Sequence, residues 1–266
     1  PLHNHEFTIL AINHYQGSPG CEYCSNSGTS KLEQELSKYI KSIYSGEIIL
    51  NNRILDGKEI DIYLPELNIG FEFNGLLWHS EYNNPDKKYH QQKYLSAINK
   101  GIHLINIWED DWSEKQIIIK SRIKQILNIT DKKIRASNTY IKQVSTKEER
   151  NFLITNHLQE YVNSEICYGL YLKDTDELVS LMSFGKLRFE KQQDNVWELL
   201  RFCSKNNTKV YGAASKLFKY FIDKFNPKQI ISYANCDWSI DNEHNVYNQL
   251  GFKYNDITVP DYSIVI

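Results

Sequence analysis

The chain predicts an α/β protein of two domains, and three observations carry that prediction. Two short runs of period-two alternation, 60–64 and 69–73, flank a turn. Segments of helical spacing precede and follow them. The second half has its own plan, with strands and helices alternating around Gly212. A length of 266 residues suits about two domains.

The first helix is predicted from Gly28-Thr-Ser30, which caps it, to about Tyr44. Leu32, Leu36, Tyr39, Ile40 and Ile43 form one apolar stripe. Glu33 lies at the edge of that stripe and is expected to face the core or a cleft wall. In the hairpin, Ile60, Ile62 and Leu64 alternate with Asp61 and Tyr63. Across from them Ile69, Phe71 and Phe73 alternate with Gly70, Glu72 and Asn74. Pro65-Glu-Leu-Asn68 is the turn. If it forms a four-residue loop, Leu64 faces Ile69 and Asp61 faces Glu72, with Cβ atoms roughly 5 Å apart. Such like charges repel unless a cation lies between them. Two carboxylates with room for water suit Mg²⁺, and a metal-activated water suits phosphodiester hydrolysis. The alternative is two solvated acids on an open sheet face.

Trp78-His79 follows the second strand. After Pro85 a helix carries His90, Lys93 and Ala97 on one line and ends at Gly101. His103-Leu-Ile-Asn-Ile-Trp108 is then a buried strand, closed by Glu109-Asp-Asp-Trp112. The acids at 109–111 suit the start of the next helix.

This order of elements, with Asp61, Glu72-Phe-Asn74, Trp78-His79, Tyr89-His90, Lys93 and Trp108-Glu-Asp-Asp-Trp112, resembles the very-short-patch-repair (Vsr)-like branch of the PD-(D/E)xK nucleases. Within that branch it is most similar to phage and intron-associated homing endonucleases. The resemblance covers about residues 1–130. It implies a restriction-endonuclease-like mixed sheet and hydrolysis of double-stranded DNA with one or two Mg²⁺. It makes Asp61 and Glu72 the metal ligands, Glu33 the acid of the first helix, and His79 the base or acid near the phosphate. Trp78 becomes an aromatic wall or base-stacking wedge, and His90 and Lys93 phosphate-facing helpers. One departure is plain: Asn74 stands where the superfamily has Lys. Lys93, a His or the metal then has to supply the positive charge, or the site has decayed.

A net charge of −2 argues against a uniformly basic surface, but charge is unevenly placed. From Lys115 to Lys142 eight basic residues meet one acid, Asp131. Lys120, Arg122, Lys124, Lys132, Lys133 and Arg135 are expected to form a DNA-binding stripe, or otherwise a solvated helix face. Ser113-Glu-Lys-Gln116 reads as a capping box, with Ile117, Ile119, Ile123, Ile126 and Leu127 on the buried side. No apolar run approaches the roughly 18 residues of a membrane span, and no signal peptide is visible. The expected location is the cytoplasm of a prokaryotic or phage-infected cell.

Five cysteines, an odd number unevenly spaced, do not read as a disulfide scaffold. Cys21-Glu-Tyr-Cys24 forms a knuckle that binds Zn²⁺ when further ligands complete a tetrahedron, and the N-terminal side offers His3, His5 and His14. The bland alternative is a Cys pair under a turn. The related homing endonucleases often open with a zinc module reading Cys-Pro-x-His. A chain opening Pro1-Leu2-His3, with Met182 its sole Met, therefore reads as a trimmed piece holding a zinc-module remnant.

In the second half, Leu178–Phe184 and Trp197–Phe202 read as strands, and Leu217, Phe218, Phe221 and Phe225 as a helix face. Ile230–Tyr233 is another strand, and Leu250-Gly-Phe252 closes a last helix. This order resembles the GNAT acyltransferase core. Lys209-Val-Tyr-Gly212-Ala-Ala214 keeps the middle Gly and the final small residue of that family's phosphate turn, but not its first residue. Glu198 and Asp237 are bases by type only. His157 is expected to cap a helix.

The resulting expectation is a zinc-module remnant at 1–27, a Vsr-like endonuclease at 28–130 and a GNAT-like domain at 131–266 that positions DNA and holds acetyl-CoA poorly. The alternatives are a CoA-dependent N-acetyltransferase and a DNA-binding protein with a decayed nuclease site. The oligomeric state is left open.

Overall fold

A computed structural model describes residues 30–75, 89–239 and 245–256. The chain forms two compact units divided between Ile48 and Ile49. The first carries α1, Lys31–Ile43. The Ser30 hydroxyl accepts from the Glu33 N–H at 3.1 Å, and the Glu33 carboxylate accepts from the Ser30 N–H at 3.3 Å. Two otherwise orphaned donors are thereby satisfied. The predicted stripe is visible in Leu36 and Ile40, both fully buried.

The second unit opens with a mixed sheet in the order β1-β2-β3-β4. Strands β1 (Ile49–Leu55) and β2 (Lys58–Leu64) are joined by Asp56 and Gly57, both at positive φ, as a two-residue hairpin requires. Strand β3 (Ile69–Asn74) pairs antiparallel with β2, with Leu64 opposite Ile69 and Ile62 opposite Phe71, which is the register a four-residue turn dictates. Asn68, at φ 51, closes the turn. Helix α2 (Tyr89–Asn99) precedes β4 (His103–Trp108), which runs parallel to β3 along its full length. A parallel neighbour needs such a crossover. Leu55, Ile60, Tyr63, Ala97, Ile102 and Leu104 make one core.

After β4 come α3 (Glu109–Glu114) and α4 (Gln116–Ile126), broken at Lys115. The three acids 109–111 occupy the first turn of α3 as expected. The capping box does not form. Ser113 instead donates to the Glu109 carbonyl at 2.8 Å, and α4 starts without a side-chain cap. The break shifts the helical frame, so Ile117 is 71 % exposed while Ile118, Ile119 and Ile123 are buried.

The second sheet has the order β6-β7-β8-β9-β11. Strands β6 (Thr139–Gln143), β7 (Ile166–Leu172), β8 (Leu178–Gly185) and β9 (Val196–Ser204) are antiparallel. Helix α5 (Thr146–Asn156) separates β6 from β7, and His157 is its C-cap, as expected. Strand β11 (Gln229–Ser232) runs parallel to β9. A two-stranded parallel ribbon joins β5 (Lys132–Arg135) to β10 (Thr208–Tyr211). The segment 128–136, where a domain boundary was expected, therefore lies inside the second unit and contributes a strand.

Helix α6 (Ala213–Phe225) covers this sheet. Phe184 stacks on Phe221 with centroids 3.6 Å apart, and Trp197 meets Phe221 edge-on at 5.3 Å. Gly212 caps α6 at φ 79, where a Cβ would meet only Ala136 Cβ at 3.7 Å. The backbone conformation, rather than space, calls for glycine there. Gly212→Ala is expected to cost about 1–2 kcal/mol of stability, measured by urea unfolding. The short α7 (Val246–Gln249) starts at an Asn245 cap. No helix among the described residues is long and apolar enough to cross a membrane.

Candidate active site

The hairpin brings its two acids near one another, but both are already engaged. Lys93 of α2, 3 % exposed, forms an ion pair with Glu72. The Asp61 carboxylate accepts from the Phe73 N–H at 2.7 Å. Burial, then the neighbouring Asp61 charge, pushes Glu72 up to about 7 against the pull of Lys93. Burial also raises Asp61. Glu72 Oε2 is buried without a hydrogen-bond partner among the described residues. Among the described residues no three His, Cys, Asp or Glu side chains stand together to hold a metal ion. The two expected Mg²⁺ ligands thus stand beside Lys93, which the sequence offered as a source of positive charge there.

This pair has a pH signature. Glu72 holds its proton in the fold up to about 7, against an ordinary value of 4.5. Between these values the folded state binds more protons than the unfolded one, so stability falls as pH rises. A loss on the order of 3 kcal/mol is expected. Glu72→Gln should flatten that slope in urea titrations across the window, and an unchanged slope would assign it to other groups.

Asn74, fully buried, starts a chain of amides. It donates to Asn106 Oδ1 at 3.0 Å, and Asn106 donates to Asp237 Oδ1 at 2.6 Å. His103 Nε2 lies 3.1 Å from the Asp237 carbonyl oxygen. The Asp237 N–H in turn donates to Asn235 Oδ1 at 2.9 Å. Strands β3 and β4 are thereby tied to the segment that follows β11. Where they meet lies a cleft of about 210 Å³, lined among others by Trp108, Asp111, Gln159, Asn235, Asp237 and Trp238. Burial raises Asp237 from the usual carboxylate value, while the Asn106 hydrogen bond lowers it. The Arg122 guanidinium lies 4.8 Å from the Trp238 ring centroid.

The other expected residues are dispersed. Glu33, in the first unit, closes the capping box of α1. His90 packs its ring 5.3 Å from Trp108. Asn74, at the position where the superfamily has Lys, donates to Asn106. His3, Cys21, Cys24, Trp78 and His79 lie outside the described residues. Two of the six residues of the basic stripe pair with acids. Lys124 pairs with Asp131 at 2.9 Å, Lys132 with Glu177 at 3.4 Å, and Lys120 donates to Gln116. Arg122 turns to Trp238. Lys133 and Arg135 are exposed on β5. Glu198 is no base, because Arg188 takes both its oxygens through Nε, Nη2 and the backbone N–H. The sequence reading missed Asn106, Gln159 and Trp108 as cleft residues. Asn106 carried a signal, being a lone amide inside an otherwise apolar strand.

No family model matches the chain, and no curated protein matches it. Among solved structures it is similar to a candidate acetyltransferase from Deinococcus radiodurans R1. That match has 8 % identity and a TM-score of 0.33, covering 47 % of this chain and 90 % of the other. A second candidate acetyltransferase matches at 15 % identity and a TM-score of 0.31, covering 48 % of this chain and 97 % of the other. The matched structures are candidate acetyltransferases, not the Mg²⁺-dependent DNA endonuclease that was expected. Three residues named by that expectation, Asp61, Glu72 and Lys93, do stand together in the fold.

Proposed function

We propose that the chain is a CoA-dependent N-acetyltransferase with Asp237 as its general base. The observation that carries the reading is the parting of β9 from β11. They pair in parallel only from Val196 and Gln229 to Leu199 and Ser232, and β9 continues to Ser204 paired with β8 on its other side but not with β11. A strand edge left open can accept an extended amide-bearing arm, as an added strand would. CoA carries such an arm and supplies an activated acyl carbon. Within six residues of the end of β11 the chain places Asp237 and Trp238 in the cleft. Gln159 lines the same cleft, and its carbonyl accepts from Arg201 of β9 at 3.1 Å.

The start of α6 suits the diphosphate. The helix opens at Gly212, has no acid in its first turn and presents the positive end of its dipole. Lys209 on β10 and Lys133 and Arg135 on β5 flank it. Tyr211, half-exposed beside the turn, narrows the approach.

Asp237 accepts a proton from the acceptor ammonium. The freed nitrogen bonds to the acyl carbon as the carbon–sulfur bond breaks. The second nitrogen proton leaves with the thiolate as CoA thiol, and Asp237 returns its proton to solvent. Calorimetry of the chain with acetyl-CoA, paired with an assay for released thiol, tests the reading. Saturable micromolar binding and amine-dependent thiol release are expected. Absence of heat at millimolar acetyl-CoA would overturn it.

A further inference from the structure

Resting on the acyl-transfer reading, we infer that the cleft between β4 and the segment after β11 binds a small arylalkylamine in its ammonium form. The walls come from both sheets of the second unit. Trp108 ends β4, and Trp238 follows β11. Two indoles offer flat, electron-rich surface to an aromatic ring or a cation.

Charge selects the other end of the ligand. The lining holds two carboxylates, Asp111 and Asp237, and no cationic side chain. Lys115 answers Asp111 at 3.2 Å but also reaches Glu160 at 3.4 Å. Among the described residues the Asp237 carboxylate is held by an amide, Asn106 at 2.6 Å, and by no cation. The guanidinium at Trp238, Arg122, is not part of the lining. An ammonium beside Asp237 therefore gains a charge-assisted hydrogen bond, whereas a carboxylate there meets like charge. Asn106, Gln159 and Asn235 supply further acceptors for the ammonium protons.

Size sets the rest. About 210 Å³ is smaller than the roughly 300–1,000 Å³ of drug-sized sites. It accepts one ring and a short arm and leaves no room for CoA, whose place is the open β9 edge.

The test is a titration followed by tryptophan fluorescence, without acetyl-CoA, using four probes on the whole chain. Phenethylamine, 2-phenylethanol and phenylacetate share a ring and differ in charge, and butylamine has the charge without the ring. Phenethylamine is expected to bind at least tenfold more tightly than each of the others. Equal binding of 2-phenylethanol or butylamine, or tighter binding of phenylacetate, would overturn the inference without any variant. Asp237→Asn should remove the preference for phenethylamine over 2-phenylethanol, and a retained preference would count against Asp237 as the selector. The assay contains no acyl donor, so its outcome is separate from that of the proposed reaction. Amine binding without thiol release would sink the acyltransferase alone. Acetyl transfer without this preference would sink only the inference.

Discussion

Replacing Lys93 with Ala is expected to cost about 3–5 kcal/mol of stability at a pH near 8, measured by urea unfolding. The magnitude comes from removing one partner of a buried ion pair, which leaves the other charge without compensation. Among the described residues Glu72 would then face Asp61 without another cation beside it, and both carboxylates already resist ionisation through burial. Glu72 can escape by protonation, so the cost should shrink near pH 5, where it carries its proton in the fold. A cost that is equal at the two pH values would mean that packing of the lysine stem dominates. The double variant Lys93→Met with Glu72→Gln removes both charges while keeping the volumes. It should lie within about 2 kcal/mol of the parent, since a buried pair replaced by neutral groups of similar size is often nearly neutral.

That pair also shows where sequence reading succeeds and where it stops. The hairpin was legible because Ile60, Ile62 and Leu64 alternate and because Pro65–Asn68 has turn chemistry; the observed register follows from these two facts. Helix α1 was legible from Ser30 and its stripe. What closes Glu72 was harder to read. Lys93 lies on another element, and the line His90–Lys93–Ala97 reads equally as a phosphate face or as an exposed helix face. The spacing of two acids does not tell whether a metal or a lysine stands against them. Short-range hydrogen bonding was equally hidden in α3 and α4. Ser113 bonds back to Glu109 rather than forward to Gln116, and this turns Ile117 outward. The bond from Asn106 to Asp237 spans 131 residues, a separation at which periodicity carries no information. Composition alone placed Asp237 among the bases, and only the fold gives it a cleft and an orienting amide.

Asp237→Asn is expected to lower kcat/KM for the amine by about 10²–10⁴, the usual contribution of a positioned general base. Acetyl-CoA affinity should be unchanged, because the carboxylate lies in the acceptor cleft and not at the α6 turn. The pH profile separates this role from a structural one. Activity requires ionised Asp237, so it should rise with pH along a limb set by that group, above the ordinary carboxylate value because burial disfavours the charge. The Asn106 hydrogen bond favours the charged form. Asn106→Ala should therefore move the limb to higher pH while keeping most of the rate on the plateau, whereas Asp237→Asn should abolish the limb. If Asp237→Asn keeps both the rate and the limb, another group takes the proton. If Asn106→Ala leaves the limb in place, the amide chain from Asn74 holds the two sheets together and does not tune the base.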